Sequence, residues 1–204
     1  MRCLVGTYRD TSHVPDALRS LDTHVKGITD LVFINDSPDP ETSTWLSQYG
    51  KVVDVGGRGY GAAMKTACAA AEGQQCLWWE EDFTALQPIN LSELSDILYH
   101  RPYLAQIALL RGPHFPIEHD HGGLLEALIF KGHTITEVNG VLEQTATFTA
   151  NPGVWRGEVF NLGWPVGRLS EELKRDQLLN LGYRFGYLPG IRVEHHGERT
   201  GFDY

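Results

Sequence analysis

The feature that most constrains this chain is the regular alternation, through its first half, of short apolar runs with helix-forming segments. Leu4 to Tyr8 suits a central strand, and Val14 to His24 carries Leu18 and Leu21 at helical spacing. Leu31-Val32-Phe33-Ile34 is a second strand, ending in the loop Asn35-Asp36-Ser37-Pro38-Asp39. Lys51 to Val55 reads as a third strand, followed by glycines at 56, 57, 59 and 61 and the helix-forming Ala62 to Ala71. A fourth strand, Cys76 to Trp79, leads into Glu80-Glu81-Asp82. This order predicts an α/β fold of Rossmann-like type, with a mixed and mainly parallel sheet flanked by helices. In such sheets ligands gather beyond the carboxyl ends of the strands, where three of these polar clusters fall.

The later part is read as strands at Gln106 to Leu110, Leu128 to Phe130 and Thr145 to Thr149. A helix from about Glu171 to Leu181 is expected, capped by Ser170 and closed by Gly182, and then a last strand from Ile191 to His195. With 204 residues, 42% of them hydrophobic, one domain over residues 1–204 can bury its own core. The apolar runs are far shorter than the roughly 20 residues that span a bilayer, and Met1 runs directly into a strand without a signal-peptide pattern. A cytoplasmic protein without membrane insertion is the expectation. Cys3, Cys68 and Cys76, an odd count at irregular spacing, suggest small core residues and no disulfide framework. The net charge of -9 argues against broad nucleic-acid binding. The acidic excess nevertheless lies in residues 1–150, because residues 151–204 balance seven Lys/Arg against seven Asp/Glu.

Glu80-Glu81-Asp82 emerges from an apolar strand and offers hard oxygen ligands suited to Mn2+ or Mg2+; the alternative is a solvated acidic turn. Gly56-Gly57-Arg58-Gly59-Tyr60-Gly61 opens a helix whose amides, with Arg58 and Lys65, can meet phosphate, or it is simply a turn. It is not a P-loop, since Met64 stands where the second glycine would precede Lys65-Thr66. His195 and His196 point to opposite faces of the last strand, so one of them can join an acidic metal site; both can equally be ordinary surface residues. Glu118-His119-Asp120-His121-Gly122-Gly123 is read as a polar loop, near an acceptor or simply in solvent, with His119 and His121 as acceptor contacts. Glu171 and Glu172 favour a helix N-terminus through its dipole, and either can instead act as a general base. Trp155, Phe160, Trp164 and Tyr183 offer rings on which a sugar or base can stack, or belong to the core.

Taken together, the motifs from Val5 to Phe202 resemble the family 2 glycosyltransferases with the GT-A fold. The resemblance implies a nucleotide-sugar donor, UDP-glucose as the preferred choice, and donor contacts from Thr7, Tyr8, Asn35, Asp36, Gly61 and Lys65. Glu80-Glu81-Asp82 looks like a variant of the family's Asp-x-Asp motif, implying donor contacts from Glu80 and Glu81 and metal ligation by Asp82. The stretch from Ser170-Glu171-Glu172 to Gly182-Tyr183-Arg184, and then Val193-Glu194-His195-His196-Gly197, resembles the family's acidic helix and closing histidine. This implies Glu171 as base with Glu172 as rival, His195 ahead of His196 as metal ligand, and inversion at the anomeric carbon. The acceptor is open: a soluble glycan, a small molecule, a protein side chain or a hydroxymethylated DNA base. The last would need a basic groove, for which Arg168, Lys174, Arg175, Arg184, Arg192 and Arg199 are candidates. The competing readings are a noncatalytic nucleotide- or sugar-binding module and a sugar nucleotidyltransferase. For the latter, Gly6-Thr7-Tyr8-Arg9-Asp10 is a poor glycine-rich loop.

Overall fold

A computed structural model of the chain describes residues 1–8 and 11–197. The first half runs β1 (Arg2–Thr7), α1 (Val14–His24), β2 (Val25–Lys26), β3 (Asp30–Asn35), α2 (Pro40–Leu46), β4 (Lys51–Asp54), α3 (Tyr60–Ala70), β5 (Cys76–Glu80), β6 (Phe83–Ala85), β7 (Ile89–Asn90) and α4 (Leu91–His100). The second half runs β8 (Leu104–Arg111), α5 (Pro116–His121), α6 (Leu124–Phe130), β9 (Thr136–Val138), β10 (Val141–Gln144), β11 (Gly153–Trp155), α7 (Gly157–Asn161), α8 (Ser170–Asn180) and β12 (Arg184–His195). The expected strand and helix alternation of the first half is therefore present.

The main sheet has the order β4-β3-β1-β5-β11-β8-β12-β10-β9, with β6 added to the end of β12. Strands β4, β3, β1 and β5 are mutually parallel. Between β5 and β8 lies β11, antiparallel to both, so β8 runs with β5 again, and β12 is parallel to β8. The carboxyl ends of β3, β1, β5, β8 and β12 consequently open on one edge.

Alternation divides the core between the two faces. Cys3, Val5, Leu77 and Trp79 pack under Val14 and Leu21 of α1 and under Leu91, Leu94 and Leu98 of α4. Leu4, Cys76 and Trp78 face the other way, against Ala63, Met64 and Ala67 of α3, Val159 and Phe160 of α7 and Leu178 of α8. Each fully buried large side chain contributes about 1.5–3 kcal/mol relative to exposure. All three cysteines are free and buried, and burial pushes the Cys68 thiol up to about 11 and the Cys76 thiol to about 12.

Three local expectations are corrected. Leu128 to Phe130 is the last turn of α6, because Leu124, Leu125 and Leu128 share one helical face, a pattern that a short apolar run does not distinguish from a strand. Thr145 to Thr149 is a loop: the Gln144 side chain accepts from Thr147 N at 2.9 Å and donates to Thr147 O at 2.7 Å, occupying groups that a ladder would use. Ser170 does not cap α8 but is its first, buried residue, preceded by Leu169 in the left-handed region at φ 60°. No helix among the described residues is long and apolar enough to cross a membrane.

Candidate active site

A cleft of about 800 Å³ opens at the carboxyl edge of the sheet. Thr7 closes β1, Glu80 closes β5, Arg111 closes β8 and His195 closes β12, and all four line it. From the β3 side, Asp36 lies at its wall, with Oδ2 accepting from Gly59 N at 2.8 Å. Gly59 makes that bond at φ 87°, where a side chain would be strained, and so starts α3 directly beside the loop. The other oxygen, Oδ1, is buried and has no partner among the described residues.

Asp82 reaches the opposite wall. The antiparallel pairing of β6 with β12 sets His195 opposite Phe83, and His196 N donates to Asp82 O at 2.8 Å. His195 Nε2 then lies 3.0 Å from Asp82 Oδ2, its ring stacked on Phe83 with centroids 4.5 Å apart. The second ring nitrogen, Nδ1, meets His114 Nδ1 at 3.3 Å. Gly197 packs on this pair, and a Cβ there would overlap the Asp82 carboxylate.

His114 is placed by a buried ion pair. Arg111 Nη1 and Nη2 donate to Glu118 Oε2 at 2.6 Å and Oε1 at 3.0 Å, and Glu118 Oε2 also accepts from His114 N at 2.8 Å. Burial raises the Glu118 carboxyl, but the Arg111 hydrogen bonds and the backbone donors outweigh it, leaving the group below its ordinary value.

Acidic groups crowd the middle of the cleft. Burial, followed by the charges of Asp82, Glu171 and Glu81, holds the Glu80 carboxyl well above the usual range. Glu81 Oε1 accepts from Tyr8 N at 2.6 Å, tying the acidic run to the end of β1. Across the cleft, at the start of α8, Glu171 Oε2 accepts from Ala150 N at 3.0 Å and Oε1 accepts from the Tyr60 hydroxyl at 3.3 Å. Glu172 also lines the cleft but is exposed.

Asp82 and His195 supply one oxygen and one nitrogen donor of the kinds that divalent ions accept. Asp82 Oδ2 and His195 Nε2 lie 3.0 Å apart, with Gly197, which has no side chain, packed directly on them. No group of three or more His, Cys, Asp or Glu that could hold a metal occurs among the described residues, so such an ion would take its other ligands from phosphate and water.

No protein-family model and no curated protein matches the sequence. Solved structures do match in shape. The mannosyltransferase PcManGT from Pyrobaculum calidifontis, in complex with GDP-Man and Mn2+, aligns at TM-score 0.69 and 14% identity, over 98% of this chain and 58% of its own. S. aureus TarS 1-349 in complex with UDP-GlcNAc aligns at TM-score 0.64 and 16% identity, over 98% of this chain and 60% of its own. The chain has the GT-A fold. It spans about three fifths of the length of these two matched chains, and at such identities the likeness establishes the fold alone.

On this GT-A frame the structure gathers Thr7, Tyr8, Asp36, Glu80, Glu81, Asp82, Glu171, Glu172, His195 and His196 around one cleft. His196 lines it from the outer face, with Nε2 2.8 Å from Thr84 Oγ1 and its ring stacked on His13. The other sequence candidates do not line the cleft. The Asn35 side chain is consumed internally: Oδ1 accepts from Thr7 Oγ1 at 3.2 Å and Nδ2 donates to Ser43 Oγ at 2.8 Å. Arg58, Gly61 and Lys65 do not line the cleft; α3 turns Tyr60, Ala63 and Met64 toward it, leaving Lys65 exposed. His119 and His121 are on helix α5, not a loop, and neither lines the cleft; His121 packs on Phe130. Trp155 and Trp164 are buried and stacked on each other in the core, offering no open ring.

Among the described residues the candidates for a basic groove do not gather at the cleft. Lys174 is buried, its Nζ donating to Val159 O at 2.9 Å and Gly163 O at 2.6 Å. Arg184 starts β12, at the end of the sheet away from the cleft, with Nη1 3.8 Å from Glu143 Oε2. Arg175 alone of the set lines the cleft among the described residues; Arg199, like Arg9 and Asp10, lies outside those residues. His114, Arg111 and Tyr187 are cleft residues that the sequence reading passed over, while Glu118 and Tyr60 stood in its motifs without a role of their own. The hint for Arg111 and Glu118 was an arginine at a strand end and an acid one turn into the following helix.

Proposed function

We propose that the chain is a metal-dependent glycosyltransferase that moves a sugar from a nucleotide-sugar donor to an acceptor hydroxyl with inversion. The observation that carries this is the facing arrangement of the Asp82–His195 pair and Glu171 across one cleft of a GT-A sheet. PcManGT, a mannosyltransferase in complex with GDP-Man and Mn2+, and TarS, in complex with UDP-GlcNAc, share this fold and hold nucleotide sugars, which supports the reading.

Asp82 and His195 would hold Mn2+ or Mg2+, which supplies charge neutralisation to a departing diphosphate. Burial and the neighbouring carboxyls raise the Glu80 carboxyl, and a cation would relieve the repulsion among these acids. Asp36 offers its unpartnered Oδ1 to an N–H or hydroxyl of the nucleoside. Glu171 receives the acceptor's proton as the hydroxyl oxygen attacks the anomeric carbon. Its carboxylate is oriented by Tyr60 and the Ala150 amide, whereas the exposed Glu172 is the weaker candidate. UDP-glucose is the preferred donor. A soluble glycan or small molecule is favoured over a hydroxymethylated DNA base, since the basic candidates are dispersed or buried.

The test is donor turnover. Purified protein incubated with UDP-glucose, UDP-GlcNAc or GDP-mannose and Mn2+ should release the nucleoside diphosphate slowly to water, and Glu171→Gln should reduce that release at least about 100-fold. Unchanged turnover in Glu171→Gln would remove this residue as base, and absence of metal-dependent turnover with any donor would favour a binding module.

A further inference from the structure

Three buried side-chain polar atoms that line this cleft lack a partner among the described residues: Asp36 Oδ1, Trp78 Nε1 and Tyr187 Oη. Tyr187 has no exposed surface, and its hydroxyl is not spoken for by Arg111 or Glu118, which bond each other. A buried hydroxyl without a partner is costly, so native proteins keep few of them outside sites that a ligand or water completes. The strand register shows where it faces. Trp78 pairs with Gly153, Gly153 with Ala108 and Ala108 with Tyr187, which sets the four in one row on one face of the sheet. Two small residues thus separate two large hydrogen-bond donors at the cleft floor.

Burial raises the Tyr187 phenol, Arg111 lowers it, and Glu171 and Glu118 raise it further. It stays a neutral O–H donor. The diphosphate would be held at Asp82 and His195, and the glycosyl group must then occupy the stretch toward Glu171.

We infer that Tyr187 is a specificity-determining residue whose hydroxyl donates to a hydroxyl of the transferred sugar. This rests on the glycosyltransferase reading. No covalent step is assigned to it.

The experiment is calorimetry on wild-type protein and Tyr187→Phe with MnCl2, comparing UDP and GDP with UDP-glucose, UDP-GlcNAc and GDP-mannose. For the nucleotide sugar that wild type prefers, Tyr187→Phe should bind about 3- to 10-fold more weakly, with affinity for the matching nucleoside diphosphate unchanged. Its melting temperature should be unchanged or higher, since a partnerless hydroxyl has been removed. A fall in melting temperature, or equal nucleotide-sugar affinity in both proteins, would overturn the inference while leaving the glycosyltransferase reading in place. Wild-type protein that binds no nucleotide would overturn both. Singly deoxygenated donors provide a check without mutation: one deoxy position should weaken wild-type binding by the same factor, and no such position overturns the inference.

Discussion

Asp82 Oδ2 and His195 Nε2 lie 3.0 Å apart although 113 positions separate them in the chain. The contact follows from β6, a three-residue strand that pairs antiparallel with the end of β12 and so places Asp82 beside the closing histidine. Nothing within either motif alone brings them together.

The link from His195 to His114 has a consequence for metal binding. In the tautomer in which His195 Nδ1 donates to His114 Nδ1, the His195 ring keeps a lone pair on Nε2 for a cation. His114→Ala should weaken Mn2+ binding about 10- to 100-fold, measured by competition with a fluorescent chelator. Unchanged affinity would show that His195 is oriented by Phe83 and Asp82 alone.

The Arg111–Glu118 pair should matter to folding more than to chemistry. Glu118→Gln leaves a buried guanidinium without its counter-charge, at a cost of about 3–5 kcal/mol by urea denaturation. Because the folded carboxyl lies below its ordinary value, this stability is present above about pH 4.5 and is lost as pH falls through the folded value. The gap between wild type and variant should therefore narrow in acid.

Glu80 should show the opposite sign. Its carboxyl is raised in the folded state, so the stability it contributes is complete below about pH 4.5 and is lost as pH rises through the folded value. Glu80→Gln should raise the melting temperature of metal-free protein at pH 7 and change it little at pH 4. Added Mn2+ should shrink the difference at pH 7. A variant less stable than wild type at pH 7 would show that the ionised carboxylate is satisfied.

Much of the frame was legible in the sequence because parallel strands buried on both faces are continuous apolar runs, and the turns after them are polar. The ends of β1, β3 and β5 could thus be assigned before any contact was known. Legibility fell where meaning depends on distant partners. Trp155 and Trp164 read equally well as sugar platforms or core, and only their mutual stacking decides. Lys65 sits in a helix that does approach the cleft, but the side it presents is set by the packing of Met64 and Ala67. Tyr187 carried no local signal, since its role depends on the cross-sheet row through Ala108 and Gly153. His119 and His121 drew attention as a cluster, while His114, isolated in sequence, is the histidine that reaches His195.

The most direct measurement is calorimetric titration of wild-type protein and Asp82→Ala with UDP, GDP and dTDP, with and without Mn2+. The account predicts that one nucleoside diphosphate binds wild type at least about 10-fold more tightly with Mn2+, and that Asp82→Ala loses this enhancement while remaining folded. An Asp82→Ala protein with the full Mn2+ enhancement would contradict the assignment of Asp82 and His195 as the metal-holding pair.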